Sequence, residues 1–405
     1  MGIPDIAVLV GSLTGLILLA SPALARGLLW RATITPLASI IGSGFLIVGP
    51  ILVSHFGKWA WLPMALLCLA GFAFGTVIRF NIAVLAEGGG QEGSFVYHVE
   101  KLSSWMLTLA YLVSVAYYLN LFGSFAARIV GSDTGLLARF LTTLAYGLIL
   151  VVGFLRGFAS LERMEQVAVS LKLAIIVGLL GGLVSFAAFR WQAGELVTNK
   201  VHWGFSDGYP LVFGLLVTVQ GFETSRYLGD SYAPSIRIRS MLIAQLVASA
   251  IYMTYVIPLS ASFASGGFAL SETAIIDLMT RVSTLLAPML ILAALSSQFS
   301  AAVADTAGAG GLVEELTASK LRLDPRWGYV LVVFSGLVLT WIADIFSIIS
   351  YASRAFALYY AIQSCLAAVR AWRLNDARKI FRTVCYAGLA ILGLAIVVLG
   401  TPIDA

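Results

Sequence analysis

Long apolar stretches recur along almost the whole chain, and they restrict its possible folds more than any other feature. The hydrocarbon core of a bilayer is about 30 Å thick, so each helix that crosses it needs about 20 apolar residues. The chain has 405 residues, of which 60% are hydrophobic and only 11% are charged. This pattern predicts an all-α polytopic membrane protein without a soluble module.

The apolar stretches predict about twelve transmembrane helices. The first could instead be a signal peptide, because Ala23 and Ala25 form a possible cleavage site, but its start carries Asp5 and no basic residue. We therefore interpret it as a retained helix. The predicted spans are 5–23, 32–53, 59–86, 104–130, 136–155, 164–187, 210–228, 239–264, 281–303, 327–343, 345–370 and 383–400.

Lysine and arginine concentrate in every second loop between these spans, for example at 370–382. The richer side should be cytoplasmic, which fits a multi-pass protein of the cell membrane, plasma or inner. The net charge of +5 therefore indicates orientation and not a nucleic-acid partner. The expected partners are the lipid bilayer and a small-molecule substrate, and the sequence leaves the oligomeric state open.

Glycine interrupts two of the predicted spans near their middle. The stretch "SIIGSGFLIVGP" (39–50) contains Gly42 and Gly44, and "LVTVQGFETSRYLGD" (216–230) contains Gly221. Unsatisfied backbone groups are costly in hydrocarbon, so a broken helix is tolerated only beside a cavity or a ligand. Two interrupted helices in corresponding positions indicate the central site of a transporter. For the first interruption, close helix packing by small residues is an equal alternative.

Four stretches resemble, in order and spacing, the amino acid/polyamine/organocation (APC) superfamily of secondary transporters. The resemblance covers about residues 32–370. It implies a five-plus-five inverted-repeat fold, with discontinuous first and sixth core helices around one site. The leading segment 5–23 is extra, and Gly229 and Asp230 stand where the family more often has two adjacent acids. The four stretches are "IIGSGFLIVGP" (40–50), "AEGGGQEGSFVYHVEK" (86–101), "VSLKLAIIVGLL" (169–180) and "GFETSRYLGDSYAPSIRIRS" (221–240).

The resemblance also implies a division of the chain into five parts. These are an extra N-terminal transmembrane segment and link (1–31), the first five-helix repeat (32–187), an extracellular connection (188–209), the second, inverted repeat (210–370), and a cytoplasmic basic loop with the final transmembrane helix (371–405).

Two helix breaks would together suit a zwitterion. A half-helix that starts after a break presents N–H groups to an anion, and one that ends before a break presents C=O groups to a cation. We expect the N–H groups near Gly44 to bind a carboxylate and the C=O groups near Gln220 to bind an ammonium. The predicted substrate-binding residues are Ile41, Gly42, Ser43, Gly44, Phe45, Tyr117, Val219, Gln220, Gly221, Phe222 and Glu223.

Three of these residues have open alternatives. Phe222 is a candidate lid, but ordinary packing is at least as good an interpretation. Glu223 could bind a cationic group or cap N–H groups at the break. Tyr117 lies on a helix that could line the pocket, although tyrosines in a large bundle more often pack with one satisfied hydroxyl.

Lys172 is a candidate coupling group, because ionisable side chains within a membrane are functional by default. The resemblance implies that its amine lies where sodium-driven relatives hold an ion, so gain and loss of a proton could drive transport. The alternative is a lysine that snorkels to the cytoplasmic face. Arg354 lies too deep to snorkel and could pair with a carboxylate such as Glu223 or face an anionic substrate.

Sodium is the competing coupling ion. "LAALSSQFS" (292–300) resembles the eighth-helix segment that supplies hydroxyl ligands in sodium-coupled relatives, and hard cations prefer oxygen. These serines could instead bond to their own helix backbone. We favour the proton, place sodium second and expect no other cofactor. The candidate ligands are the side chains of Ser296 and Ser297 and the carbonyls of Ala38, Ile41 and Ala293.

The sequence offers no catalytic constellation, and we expect a transporter and not an enzyme. Asp305, Glu314 and Glu315 are interpreted as a solvated loop end. The predicted function is a secondary active permease that moves a small amino acid or related organic solute by alternating access, with proton coupling. The alternatives are a sodium-coupled symporter or an exchanger of amines or small organic solutes and, from other classes, a channel or a transporter-like ligand sensor.

Overall fold

The computed structural model confirms an all-α architecture. The structure describes residues 2–25, 27–86, 94–131, 135–156, 159–197, 205–227, 232–317, 324–374 and 377–402. Nearly all of this part of the chain is helical, and it contains no strand.

Fourteen α-helices and three short 3-10 helices make up the described fold. The 3-10 helices are Gly57–Trp59, Leu216–Val219 and Phe222–Tyr227. The α-helices are α1 (Ile3–Ala20), α2 (Pro22–Ala25), α3 (Leu28–Phe56), α4 (Trp61–Ala86), α5 (Ser94–Ile129), α6 (Gly135–Arg156), α7 (Ala159–Gln192), α8 (Phe205–Gly214), α9 (Pro234–Ser262), α10 (Ala274–Thr280), α11 (Leu286–Thr317), α12 (Pro325–Ile342), α13 (Ile345–Arg373) and α14 (Lys379–Leu399).

Ten of the described helices are long and apolar enough to cross a membrane, namely α1, α3, α4, α5, α6, α7, α9, α11, α13 and α14. Helix α12 is apolar but shorter. The predicted span 210–228 is not one helix, because α8 ends at Gly214 and two 3-10 helices follow it. A polytopic membrane protein is therefore confirmed. The count of twelve spans, the inverted repeats and the domain boundaries stay predictions.

Helices α3, α5 and α13 form the buried centre of the bundle, whereas α1 and α14 lie at its edge. Helix α3 packs against α9 and α11, and α5 packs against α11 and α13. The centre is rich in fully buried aromatic side chains, which include Tyr117, Tyr118, Tyr252, Tyr255, Tyr359 and Tyr360.

The structure corrects the predicted break in the first core helix, because α3 is one continuous α-helix. Its glycines allow close packing instead. A Cβ atom at Gly44 would lie 2.5–2.9 Å from atoms of Thr218, and one at Gly42 would lie 3.2 Å from Ser297 Oγ. Small residues let membrane helices approach closely, so this stretch matches the packing alternative.

The second predicted break is present. Helix α8 ends at Gly214, and the 3-10 helix Leu216–Val219 is followed by an extended Gln220. Gly221 has a φ of +115°, a conformation that side chains with a Cβ rarely adopt. A Cβ atom there would also lie 2.5 Å from Ser39 Oγ on α3. Glycine is therefore required where the break touches α3.

Helix α1 joins the bundle through glycines on both sides of its contact with α7. A Cβ atom at Gly11 would lie 3.0 Å from Val177 O, one at Gly15 would lie 3.1 Å from Ala174 Cα, and one at Gly178 would lie 2.8 Å from Val8 O. Glycines spaced four apart are typical of close helix pairs in membranes. Helix α1 therefore supports α7, the helix that carries Lys172.

We expect Gly178→Leu to lower the stability of the protein by about 1–3 kcal/mol, because an inserted side chain overpacks a tight contact. Gly147→Leu on α6 is the matched control, since a Cβ atom there would meet no other atom within 4 Å. Thermal unfolding in detergent should show a lower midpoint for Gly178→Leu only. Equal midpoints for the two variants would contradict the role of this contact.

Candidate functional site

Ser353 on α13 connects the two sides of the break after α8. Its hydroxyl accepts a hydrogen bond from Val217 N at 2.9 Å and donates one to Gly214 O at 2.7 Å. All of these groups are buried. The side chain thus replaces backbone hydrogen bonds that the interruption removes, which membrane-embedded backbone requires.

Glu223 caps the break on its other side. Its Oε2 atom accepts hydrogen bonds from Gly221 N at 2.9 Å and from Tyr360 Oη at 2.8 Å. The Oε1 atom is buried without a hydrogen-bond partner. Phe222 stacks on the Tyr360 ring, with centroids 5.2 Å apart, so in this structure it packs inside the bundle.

Helix α9 and helix α5 fix the break against their neighbours. The hydroxyl of Tyr252 on α9 contacts Ile40 O at 3.1 Å and also Thr218 O, and it therefore links α3 to the break. On α5, the hydroxyl of Tyr118 accepts a hydrogen bond from Gln220 Nε2 at 2.6 Å. The neighbouring Tyr117 hydroxyl is buried without a hydrogen-bond partner.

Lys172 is buried between α3 and α11, and not turned to a membrane surface. Its ammonium donates to Ala38 O at 2.9 Å and to Ser297 Oγ at 3.2 Å. Ser296 instead donates to Ala293 O of its own helix, as the backbone-bonding alternative predicts. Two of the oxygens proposed for sodium are therefore occupied by the ammonium in this structure.

A small cavity of about 20 Å³ adjoins Lys172. It is lined both by residues predicted to bind substrate, such as Ile41 and Gly42, and by residues predicted to couple the ion, such as Lys172 and Ser297. The other predicted substrate residues Val219, Gln220, Gly221 and Phe222 lie at the break. The side chain of Ser43 lies outside the described side chains. The cavity is lined by Ile41, Gly42, Phe45, Leu46, Lys172, Ile176, Leu290, Ala293, Ala294, Ser297 and Gln298.

Arg354 bonds to α14, and not to Glu223, in this structure. Its Nε atom donates to Val397 O on α14 at 2.6 Å. Val397 lies in the last turn of α14, where carbonyls have no partner within the helix and a positive charge is favourable. Arg354 is therefore part of the α13–α14 contact.

Asp305 was wrongly interpreted as part of a solvated loop end. Helix α11 continues to Thr317, and Asp305 is only 4% exposed. Its carboxylate accepts a hydrogen bond from Ser114 on α5. Asp305 follows the buried Gln298 by seven residues, a spacing that places both side chains on one face of a helix. If the predicted helix had been extended beyond residue 303, this spacing would have predicted that Asp305 is buried.

A charged network joins four elements near the end of the bundle that the loop charges predict to be cytoplasmic. Glu100 on α5 pairs with Arg226 of the 3-10 helix Phe222–Tyr227 and with Arg370 on α13. Arg370 also donates to Asn81 on α4 at 3.0 Å, and Asn81 donates to Gln363 of α13. The network therefore ties the segment after the break to α4, α5 and α13.

Comparison with known proteins gives two findings. The family model of APC superfamily transporters matches residues 22–400, a range that includes every helix except α1. A protein of Aquifex aeolicus (strain VF5), described as an uncharacterized protein, is 40% identical over 375 residues. The match covers 90% of this chain and 88% of that protein.

We expect Ser353→Ala to destabilise the protein by about 1–3 kcal/mol, because it removes the buried hydrogen bonds from Val217 N to the hydroxyl and from the hydroxyl to Gly214 O. Ser335→Ala is the control, since that hydroxyl bonds only to its own helix, α12, at Leu331 and Val332. Thermal unfolding of the purified variants compares the two. A Ser353→Ala protein as stable as the control would show that the hydroxyl is not needed at the break.

Proposed function

The chain belongs to the APC superfamily of transporters, and on that premise we propose that it is a proton-coupled secondary active transporter for a small amino acid or related organic solute. Its many apolar helices fit a multi-pass membrane protein, and we propose the cell membrane as its location. Transport would proceed by alternating access around the break between α8 and α9.

The observation that carries the proton proposal is the position of the Lys172 ammonium. It bridges α3 and α11 through Ala38 O and Ser297 Oγ. Hydrogen bonds from a charged donor contribute about 1.5–3 kcal/mol, so loss of the proton would weaken this bridge. The protonation state of Lys172 would thereby change how firmly α3 is held against α11.

Substrate recognition is supported most directly at the break. Gln220 and Gly221 carry backbone groups outside any α-helix, as expected for a site that binds an ammonium through carbonyls. The N–H groups of Gly44 and Phe45 lie inside continuous α3. We propose that they reach a substrate carboxylate only in a state where α3 opens at Gly42–Gly44.

The network around Glu100 would act as a gate on the cytoplasmic side. It joins Arg226, next to the break, to Arg370 on α13. A path from the break to the cytoplasm requires these elements to separate. The two ion pairs would therefore close that path in the state described here.

We expect Lys172→Ala to abolish accumulation driven by a pH gradient, because the variant has no group that can carry the proton at this position. The measurement is uptake of a mixed pool of labelled amino acids into proteoliposomes, under an imposed pH gradient and separately under a sodium gradient. Lys58→Ala, in the 3-10 helix between α3 and α4, is the control.

Accumulation by the wild type under the pH gradient alone, lost in Lys172→Ala, would support the proposal. If Lys172→Ala accumulated substrate under the pH gradient as well as the wild type does, the coupling role of this residue would be rejected. Accumulation under sodium alone would replace the proton by sodium, and Ser297→Ala would then be expected to lose it.

We expect Glu100→Gln to open the cytoplasmic side more often, because Arg226 and Arg370 lose their shared carboxylate. The readout is cytoplasmic labelling of Ala367→Cys, a buried position on α13 between Gln363 and Arg370, in a protein without its native cysteines. A tenfold faster labelling rate would mean that the two ion pairs stabilise the closed state by about 1.4 kcal/mol. Glu195→Gln, an exposed acid after α7, is the control, and equal labelling rates would contradict the gate.

A further inference from the structure

An apolar groove runs along the outside of the bundle and ends next to the break. Its volume is about 260 Å³, and it lies between α4, α8 and the end of α14. Among the described residues that line it, Tyr209 alone carries a polar side-chain atom. The wall residues recur at every fourth position, so they share one face of each helix. They include Leu62, Leu66 and Ala70 from α4 and Gly208, Val212 and Leu216 from α8 and the 3-10 helix after it.

The groove has the depth of one leaflet of a bilayer. Its walls on α4 and α8 each cover eight residue steps, which is about 12 Å at 1.5 Å per residue. Half of the hydrocarbon core of a bilayer is about 15 Å thick. At the inner end of the groove, Leu216 begins the first 3-10 helix of the break. The loop charges predict that the other end faces the extracellular side, so the groove crosses the outer leaflet.

Aromatic side chains mark the outer end of the groove as the membrane interface. Trp59 and Trp61 directly precede the groove residue Leu62, and their rings lie 5.9 Å apart. Tyr209 lines the same end from α8. Tryptophan and tyrosine concentrate where hydrocarbon meets the headgroups. Tyr209 is 37% exposed and Leu66 is 52% exposed, so the groove is open to the surrounding lipid.

Hydrocarbon is the material that fits this groove. An apolar cavity of about 150 Å³ stays dry, so water is a poor occupant of apolar walls. An empty groove would forfeit the dispersion contacts of its walls. Lipid tails are as apolar as leucine, so a tail that enters from the bilayer gains packing contacts with three helices and loses no favourable environment.

Helix α8 is held by hydrogen bonds on sides other than the groove. Thr401 N, just after α14, donates to Pro210 O at 3.1 Å, and Ser353 Oγ on α13 donates to Gly214 O. The groove side of α8 is apolar at Val212 and Phe213. A hydrocarbon chain in the groove therefore packs against the side of α8 that these hydrogen bonds do not hold.

We propose that the groove is a binding site for one acyl chain of an outer-leaflet phospholipid, with the end of the chain beside Leu216 at the break. The chain separates α8 from α4, and a movement of α8 toward α4 has to displace it. This inference goes beyond the proposed function, because it concerns a lipid and neither the substrate nor the coupling ion.

The test places the full-length protein in proteoliposomes with one of two phosphatidylcholine probes. One probe carries a photoreactive diazirine near the carboxyl end of an acyl chain, and the other carries it near the methyl end. Mass spectrometry then locates the cross-linked residues. We expect the first probe to label the region of Leu62 and Tyr209 and the second to label Ala70 and Leu216. Each should exceed the labelling of α6, which reports ordinary lipid contact, by fivefold or more.

Leu66→Trp should lower the labelling of the groove by fivefold or more, because the larger side chain narrows its open edge. Leu148→Trp on α6 is the matched control, since Leu148 is also 52% exposed, and it should leave the labelling unchanged. Ala70→Phe fills the inner end and should reduce the labelling by the methyl-end probe only.

Groove labelling equal to that of α6 would show ordinary lipid contact and overturn the inference. The opposite order of depth for the two probes would overturn the outer-leaflet source of the chain. Unchanged labelling in folded Leu66→Trp and Ala70→Phe would overturn the groove as the site. Because cross-linking does not require uptake, these outcomes are independent of whether the proposed function holds.

Discussion

The high cost of an unpaired backbone group in hydrocarbon governs how this bundle is built. The interruption between Gly214 and Gly221 removes helical hydrogen bonds in the bundle centre, and side chains from two other helices contact the freed backbone groups. Ser353 on α13 and Tyr252 on α9 make these contacts. Tyr360 and Tyr118 bond instead to the side chains of Glu223 and Gln220. The break is therefore held by its neighbours, and a helix can be interrupted here only because those neighbours carry hydroxyls.

The sequence predicted the architecture well because the bilayer imposes a simple length and composition on each helix. The break near Gly221 was also predictable, since glycine, a polar residue and an apolar context coincide there. The α3 interruption was not, because "GSG" has the same composition whether it breaks a helix or allows close packing. Only the position of Thr218 against Gly44 distinguishes the two, and that contact joins residues far apart in the chain.

The same limit explains which site residues were predictable. The position of Lys172 inside the bundle was predictable because a charge in an apolar stretch is conspicuous, while its coupling role stays a prediction. Ser353 could not be identified, since a serine within a helix gives no sign of the backbone groups it will meet. Asp305 was misjudged because the predicted span ended at residue 303, whereas α11 extends to Thr317. Because the end of this helix was predicted several turns too early, a buried carboxylate was interpreted as a surface residue.

The turn of α3 from Ala38 to Gly42 links the proposed coupling group to the proposed substrate site. Lys172 binds Ala38 O, while Tyr252 contacts Ile40 O and the carbonyl of Thr218 at the break. The two contacts are two residues apart in one turn of α3. On our proposal, a change in the protonation state of Lys172 would therefore act on the same turn of α3 that Tyr252 joins to the break, so the proton and the substrate would bias one contact between α3 and the broken segment.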